Sequence, residues 1–319
     1  MILLPTGSSR EKSVVLKDSE TMRFSHLQSA SAVLRISGPD ANTFLNGQFT
    51  QELRISPGQF AYGLWLNQKG KVLADSHVLR ISAEEHLVFG AEADVAALRQ
   101  RLEDYLIADE VNVADESGQW SATLAWGQGA AAALASLFGS EVGAGGFVRA
   151  GEAFAFAANG QIDRFWIFYP HHGAAEWRAR LAAAGTEVHA VTAARDRIVA
   201  RVPAVPADIG PEDLPNEGGL DATAIAFTKG CYLGQEVMSR LKNLGQVRRR
   251  LHVVRGPGEV PLAKTALFQG EKRVGETRSA ARDGDRFVAF AMLSLVNLNP
   301  QAPLQLGQGG APVEIVRHG

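Results

Sequence analysis

Apolar residues recur along the chain with two alternating periods, one suited to strands and one to helices. The pattern predicts a strand over 31–36. Ser37-Gly38-Pro39-Asp40 has the composition of a helix start, and Phe44, Leu45, Phe49 and Leu53 follow at helical spacing. A strand over 60–66, turn chemistry in Asn67-Gln68-Lys69-Gly70-Lys71 and a returning strand over 72–81 make a hairpin. A short strand over 86–89 follows. Asp94 then opens a helix to 106, carried by Val95, Leu98, Leu102 and Leu106. From about Val111 the order recurs, with strands over 120–126, 147–150, 154–157 and 164–169 and helices over 130–138 and 174–184, closed by Gly139 and Gly185. This hints at a structural duplication, with no residue-level repeat behind it.

Residues 191–203 predict a further helix through Arg195, Ile198 and Val202. Pro203, Pro206, Pro211 and Pro215 then make 202–215 an extended connector. After Gly245, short β runs over 251–254, 265–268, 274–279 and 287–293 alternate with Gly, Pro and Asp turns, the pattern of a small antiparallel barrel or sandwich. The whole reads as α+β. Its expected division is a flexible lead-in over 1–23, a first α+β unit over 24–110, a second over 111–199, and a C-terminal β-barrel over 245–319. Residues 200–244 return to pack on the first unit.

Composition narrows the function classes. The 319 residues exceed one typical domain, and 46% hydrophobic content suffices for sizeable cores. A formal charge of -2 makes no electrostatic case for nucleic acid or a membrane surface. The single cysteine excludes an internal disulfide framework and a Cys-rich zinc site, and it fits a reducing compartment. The first five residues are too short for a signal-peptide core, and no apolar run reaches a membrane span. The expected location is cytoplasmic. P-loop, Gly-x-Ser-x-Gly, His-Glu-x-x-His and Cys-x-x-Cys motifs are absent, so no metal site is expected.

The chemistry concentrates in Thr228-Lys229-Gly230-Cys231-Tyr232-Leu233-Gly234-Gln235-Glu236-Val237-Met238-Ser239-Arg240. Val237, Met238, Leu241 and Leu244 predict a short helix over 235–244, stopped by Gly245. Cys231 then stands just ahead of a helix N-terminus, where free amides favour the thiolate. It reads as a nucleophile, a metal or cluster ligand or a redox-sensitive thiol, against the alternative of a small buried filler. One thiolate cannot hold an iron–sulfur cluster, so any cluster role requires a partner protein or small thiols. Lys229 either lowers the thiol's pKa or is a solvated charge. Glu236 either interacts with the first-turn amides or accepts from a ligand. Tyr232 either stacks on a flat heterocycle or packs. Arg240 either pairs with an anionic tail or lies on a solvated face.

The run Lys229-Gly230-Cys231-Tyr232-Leu233-Gly234-Gln235-Glu236 resembles the signature of the YgfZ-type, folate-binding relatives of the glycine cleavage T protein (aminomethyltransferase). Similar stretches are Ser37-Gly38-Pro39-Asp40-Ala41 with Phe44 to Gln48, the hairpin from Leu66 to Asp75, Leu214 to Leu220, and Val274 to Ser279. The resemblance implies three domains in a ring, two α+β units plus the small barrel, around a central opening that holds tetrahydrofolate or a related folate. It implies ligand contacts from Trp65, Asn67, Asp75, Glu217, Tyr232 and Arg240, with Cys231 as the catalytic residue. It also implies an accessory role in assembly, maintenance or repair of iron–sulfur proteins, with iron–sulfur client or assembly proteins as partners and a link to tRNA modification. The alternatives are a tetrahydrofolate-dependent aminomethyl or one-carbon transferase, and a non-catalytic binding module with a vestigial folate site. Two departures stand out. The T proteins' adjacent aspartates read Ala74-Asp75, which argues against aminomethyl transfer. The family's Arg-(hydrophobic)-Glu-Ala-Gly reads Arg197-Ile198-Val199-Ala200-Arg201, which removes a carboxylate acceptor unless Glu217 or Glu236 replaces it.

Overall fold

Asn67 closes the central hairpin: its Oδ1 accepts from the backbone N–H groups of Lys69 (2.9 Å) and Lys71 (3.0 Å). Strands Phe60–Leu66 and Val72–Arg80 therefore pair antiparallel. In this computed structural model, which describes residues 21–27, 32–160, 163–245 and 247–317, that hairpin begins a five-stranded antiparallel sheet. Glu85–Gly90, Ala32–Ser37 and Asn112–Asp115 follow in that order. Helices Ala41–Gln48 and Val95–Glu103 cover one face, burying Phe44, Leu45, Leu98 and Leu102 with Leu34, Ile36, Trp65 and Val78.

A six-stranded sheet forms the second body. Trp120–Trp126 and Arg164–Pro170 lie near its middle, and helices Ala130–Phe138 and Ala174–Ala184 cover it. The expectation of a loose lead-in is corrected at its end. Met22–His26 is a strand of this sheet, antiparallel to Trp120–Trp126 and parallel to Gly185–Glu187. Met22 and Phe24 are buried in the second core, but a run of five residues is too short to announce itself by periodicity. The earlier part of that lead-in, 1–20, and the strand start expected at 31 lie outside the described residues. The division near residue 110 also shifts, since Asn112–Asp115 pairs with Ala32–Ser37 in the first sheet.

The two sheets join through aromatic rings. Phe89 and Phe168 lie 4.0 Å apart, and Phe60 and Phe156 5.3 Å apart. Segments of 202–244 pack back on the hairpin, where Val205, Ile209, Leu220, Tyr232 and Met238 meet Tyr62, Leu64, Leu66 and Val72. Beyond it six antiparallel strands close a barrel. Its strands Leu304–Leu306 and Pro312–Ile315 escaped the sequence reading because Gly and Pro frame such short runs. The architecture is thus mixed α+β with a closed C-terminal barrel. Among the described residues, no helix is long and apolar enough to cross a membrane.

Candidate functional site

A cleft opens where the two sheets and the connector meet. Its walls include Asp75, His77 and Phe89 from the first sheet, Arg164 and Trp166 from the second, and Arg197 and 202–205 behind them. It holds about 540 Å³ of space, counting its open mouth. A wider groove of about 1270 Å³ shares Glu92, Leu124, Trp166 and Arg197 with it and runs along Ala190, Ala193 and Ala194.

Strand geometry aims the polar groups. Neighbours in a strand face opposite ways, so Asp75 and His77 face the cleft while Ala74 lies in the first core. Of the family's aspartate pair, the member replaced by alanine is the one that faces the core. Tyr62 Oη donates to Asp75 Oδ2 at 2.9 Å. Burial raises the Asp75 carboxyl to about 7; the Tyr62 hydrogen bond opposes this and nearby Glu92 adds to it. Burial likewise drives Tyr62 well above the ordinary phenol range and holds His77 neutral, down to about 3. His77 Nε2 accepts from the Asn159 N–H at 3.1 Å. A carboxyl that titrates near neutrality beside a phenol can hold or release a proton at physiological pH.

Behind the cleft, Asp208 is fully buried and fastens three elements. It accepts from Arg197 Nη1 (2.6 Å), from the Ala204 N–H (2.8 Å) and from the Ser279 N–H of the barrel (2.9 Å). Val199 packs toward the barrel with Val253, Val288 and Phe290, and it is not part of the cleft wall. Arg201, at the glycine position of the family pattern, adopts φ 59. Its N–H bonds to Ile198 O, and the Val202 N–H to Arg197 O, the helix ending that favours glycine. Arg201 Nη2 donates to Val316 O (2.7 Å) and Arg317 O (3.0 Å), tying the helix end to the last barrel strand's exit.

The signature loop lies elsewhere. Cys231 is exposed, and it lines neither the cleft nor the adjoining groove. Lys229 fits neither sequence reading. It is 6% exposed and donates to the carbonyls of Asn46 (2.8 Å), Phe49 (2.7 Å) and Gln51 (2.8 Å), capping the end of helix Ala41–Gln48. Burial lowers it to about 8. Tyr232 is buried in the core under the hairpin, not presented to a ligand, and burial raises it to about 12. Gly234, with φ 87, lies against the hairpin turn: an added Cβ would meet Asn67 O at 2.8 Å. Gly230 is exposed, and a Cβ added there would meet nothing within 4 Å beyond its chain neighbours. Gln235 starts helix Gln235–Leu244, its N–H bonded to Tyr232 O. Glu236 pairs with Arg240 one turn on, both on the exposed face, so neither approaches the cleft.

The remaining expected contacts are corrected likewise. Trp65 is wholly buried beside Phe49, its Nε1 donating to Ser76 Oγ at 2.9 Å. Asn67 organises the hairpin turn and edges a separate outer groove. Glu217 is held by Arg249 (2.8 and 3.0 Å) and by the Leu214 N–H (2.8 Å), in a network with Asp213 and Arg278 that joins connector to barrel. It has no free oxygen aimed at the cleft. Of the six expected ligand contacts, Asp75 stands in the cleft wall. His77, Arg164 and Trp166 were missed, although the i, i+2 spacings Asp75/His77 and Arg164/Trp166 carried the signal. Among the described residues no group of three His, Cys, Asp or Glu is placed to hold a metal ion.

Two sheets and a returning connector that meet at this cleft, followed by a closed barrel, make the scaffold of the aminomethyltransferase T proteins. The glycine cleavage aminomethyltransferase T of Bartonella henselae superposes with a TM-score of 0.78 at 18% identity, covering 93% of this chain and 85% of that one. Residues 9–229 match the family described as the GCVT N-terminal domain, and the chain belongs to it. Residues 248–318 match the CAF17 C-terminal beta-barrel domain. Similar proteins include the mitochondrial iron-sulfur cluster assembly factor IBA57 homolog of Cryptococcus neoformans, 29% identical over 76% of this chain and 68% of that protein. Human mitochondrial IBA57 is 28% identical over 82% and 74%. The tRNA-modifying protein YgfZ of Edwardsiella ictaluri is 28% identical over 76% and 74%.

Proposed function

We propose that this protein binds a reduced folate in the cleft at Asp75 and supports the assembly or repair of iron–sulfur proteins, offering Cys231 to a partner. The observation that carries the reading is the Asp75–Tyr62 pair at the junction of both sheets and the connector, in a chain of this family. Relatives named as iron–sulfur assembly factors support the cellular role. The cleft has chemistry suited to a pterin: Asp75 accepts N–H donors, Tyr62 orients the carboxyl, and Trp166 supplies a flat apolar wall. When bound, a reduced folate would supply one-carbon chemistry. The chain's own part is to seat it and to hold a proton at Asp75. Cys231 acts outside the cleft, as an exposed thiol for a protein partner. The setting is read as cytoplasmic, although IBA57 relatives carry the word mitochondrial in their names.

The test is paired. Titration calorimetry with tetrahydrofolate is expected to give binding that Asp75→Asn weakens at least about tenfold. In cells lacking the equivalent protein, the wild type restores iron–sulfur enzyme activity, and Cys231→Ala does not. Full rescue by Cys231→Ala removes the thiol from the proposal. A one-carbon transferase is the second reading, favoured by the near-neutral titration of Asp75. Turnover of an aminomethyl donor with tetrahydrofolate would establish it.

A further inference from the structure

Among the described residues, Arg164 stands at the cleft wall without a hydrogen-bond or ion-pair partner. The residue is 4% exposed, yet its side chain makes no hydrogen bond or ion pair among the described residues. Its guanidinium rests 5.6 Å from the Trp126 ring. The nearby carboxylate, Asp196, is already taken: Oδ2 accepts from Arg23 (2.5 Å) and Trp126 Nε1 (3.2 Å), and Oδ1 from Arg195 (2.7 Å). Asp163 precedes Arg164 and is exposed. Arg197, the other guanidinium of the cleft, is neutralised by Asp208. Burial lowers Arg164 to about 10, so it remains a cation at neutral pH. Asp163 and Asp196 attract it from nearby, but neither pairs with it directly; a buried cation held without a direct counter-ion is costly, and this one lines the open cleft.

We propose that Arg164 is the anion contact of the cleft, pairing with a carboxylate or phosphate of the ligand whose N–H-bearing end meets Asp75. The planar fork suits bidentate pairing with either group. This deepens, and rests on, the reading of the cleft as the ligand site. The anion is either the carboxylated arm of a folate or a free phosphate-like ion.

Four probes separate these sources: tetrahydrofolate, tetrahydropterin (which lacks the arm), p-aminobenzoylglutamate (the arm alone) and inorganic phosphate. Each is titrated calorimetrically into the full-length wild type, Arg164→Gln and Arg164→Lys, with thermal melts to verify folding. Tetrahydrofolate and p-aminobenzoylglutamate are expected to lose about 10- to 100-fold in affinity in Arg164→Gln, while tetrahydropterin binding is unchanged. Arg164→Lys keeps the charge without the fork and should lose about tenfold; it carries the test if the glutamine variant melts early. Binding of phosphate alone, dependent on Arg164, upholds the anion contact and removes the folate reading. Folate binding indifferent to both substitutions overturns this inference and leaves the folate reading standing. No binding of any probe to folded wild type overturns both.

Discussion

The signature loop and the central cleft use buried charge in opposite ways. In the loop, Lys229 donates to three carbonyls and its charge is fully employed in holding the chain together. In the cleft, among the described residues, Arg164 has no hydrogen-bond or ion-pair partner, and Asp75 accepts a side-chain hydrogen bond from Tyr62. A dense motif is therefore no sure guide to where a ligand binds. Much of the motif is architecture: Lys229 caps a helix, Gly234 admits the hairpin turn and Tyr232 fills a core. The cleft residues are scattered through the sequence and meet only in the fold.

The largest expected effect tests the architectural half. Lys229→Ala strands three carbonyls and should lose about 3 kcal/mol or more in denaturant unfolding. A loss below about 0.5 kcal/mol would return Lys229 to the solvated reading. Asp75 tests the other half through pH. Its folded pKa, about 7, lies above the model-peptide value, so the folded state binds the extra proton. The Asp75 contribution is therefore present at low pH and is lost as pH rises from about 4 to about 7. Asp75→Asn should flatten the stability profile across that window and exceed wild type in stability at pH 8. An unchanged slope there would contradict the buried carboxyl.

Two smaller effects divide the signature itself. Gly234→Ala places a side chain at φ 87 against Asn67 O and should cost about 1–2 kcal/mol, whereas Gly230→Ala, in open space, should cost under about 0.5 kcal/mol. Equal melting temperatures for the two variants would refute the close packing of loop on hairpin. Smallest of all, Arg240→Ala should cost only a few tenths of a kcal/mol, the usual value of an exposed i, i+4 pair, and leave ligand affinity untouched.

Long, strongly periodic elements were legible in the sequence: helices Ala130–Phe138, Ala174–Ala184 and Gln235–Leu244 and strand Trp120–Trp126 follow directly from spacing. Short strands were not. Met22–His26 and Asn112–Asp115 gain their place from partners far along the chain, which periodicity cannot see. The same limit applies to side chains. Glu217 looked free for a ligand because its partner Arg249 lies beyond the signature, and Trp65 looked like a pocket wall because its burial depends on Phe49 and Arg101. Asp75 was legible through its hairpin. Arg164 was not, because its isolation follows from three donors elsewhere saturating Asp196.

The division between loop and cleft is tested most directly by titrating tetrahydrofolate into Asp75→Asn and Cys231→Ala side by side. Binding should fall at least about tenfold in the first and match wild type in the second. Affinity lost with Cys231 and retained without the Asp75 carboxylate would place the ligand at the loop and contradict the account.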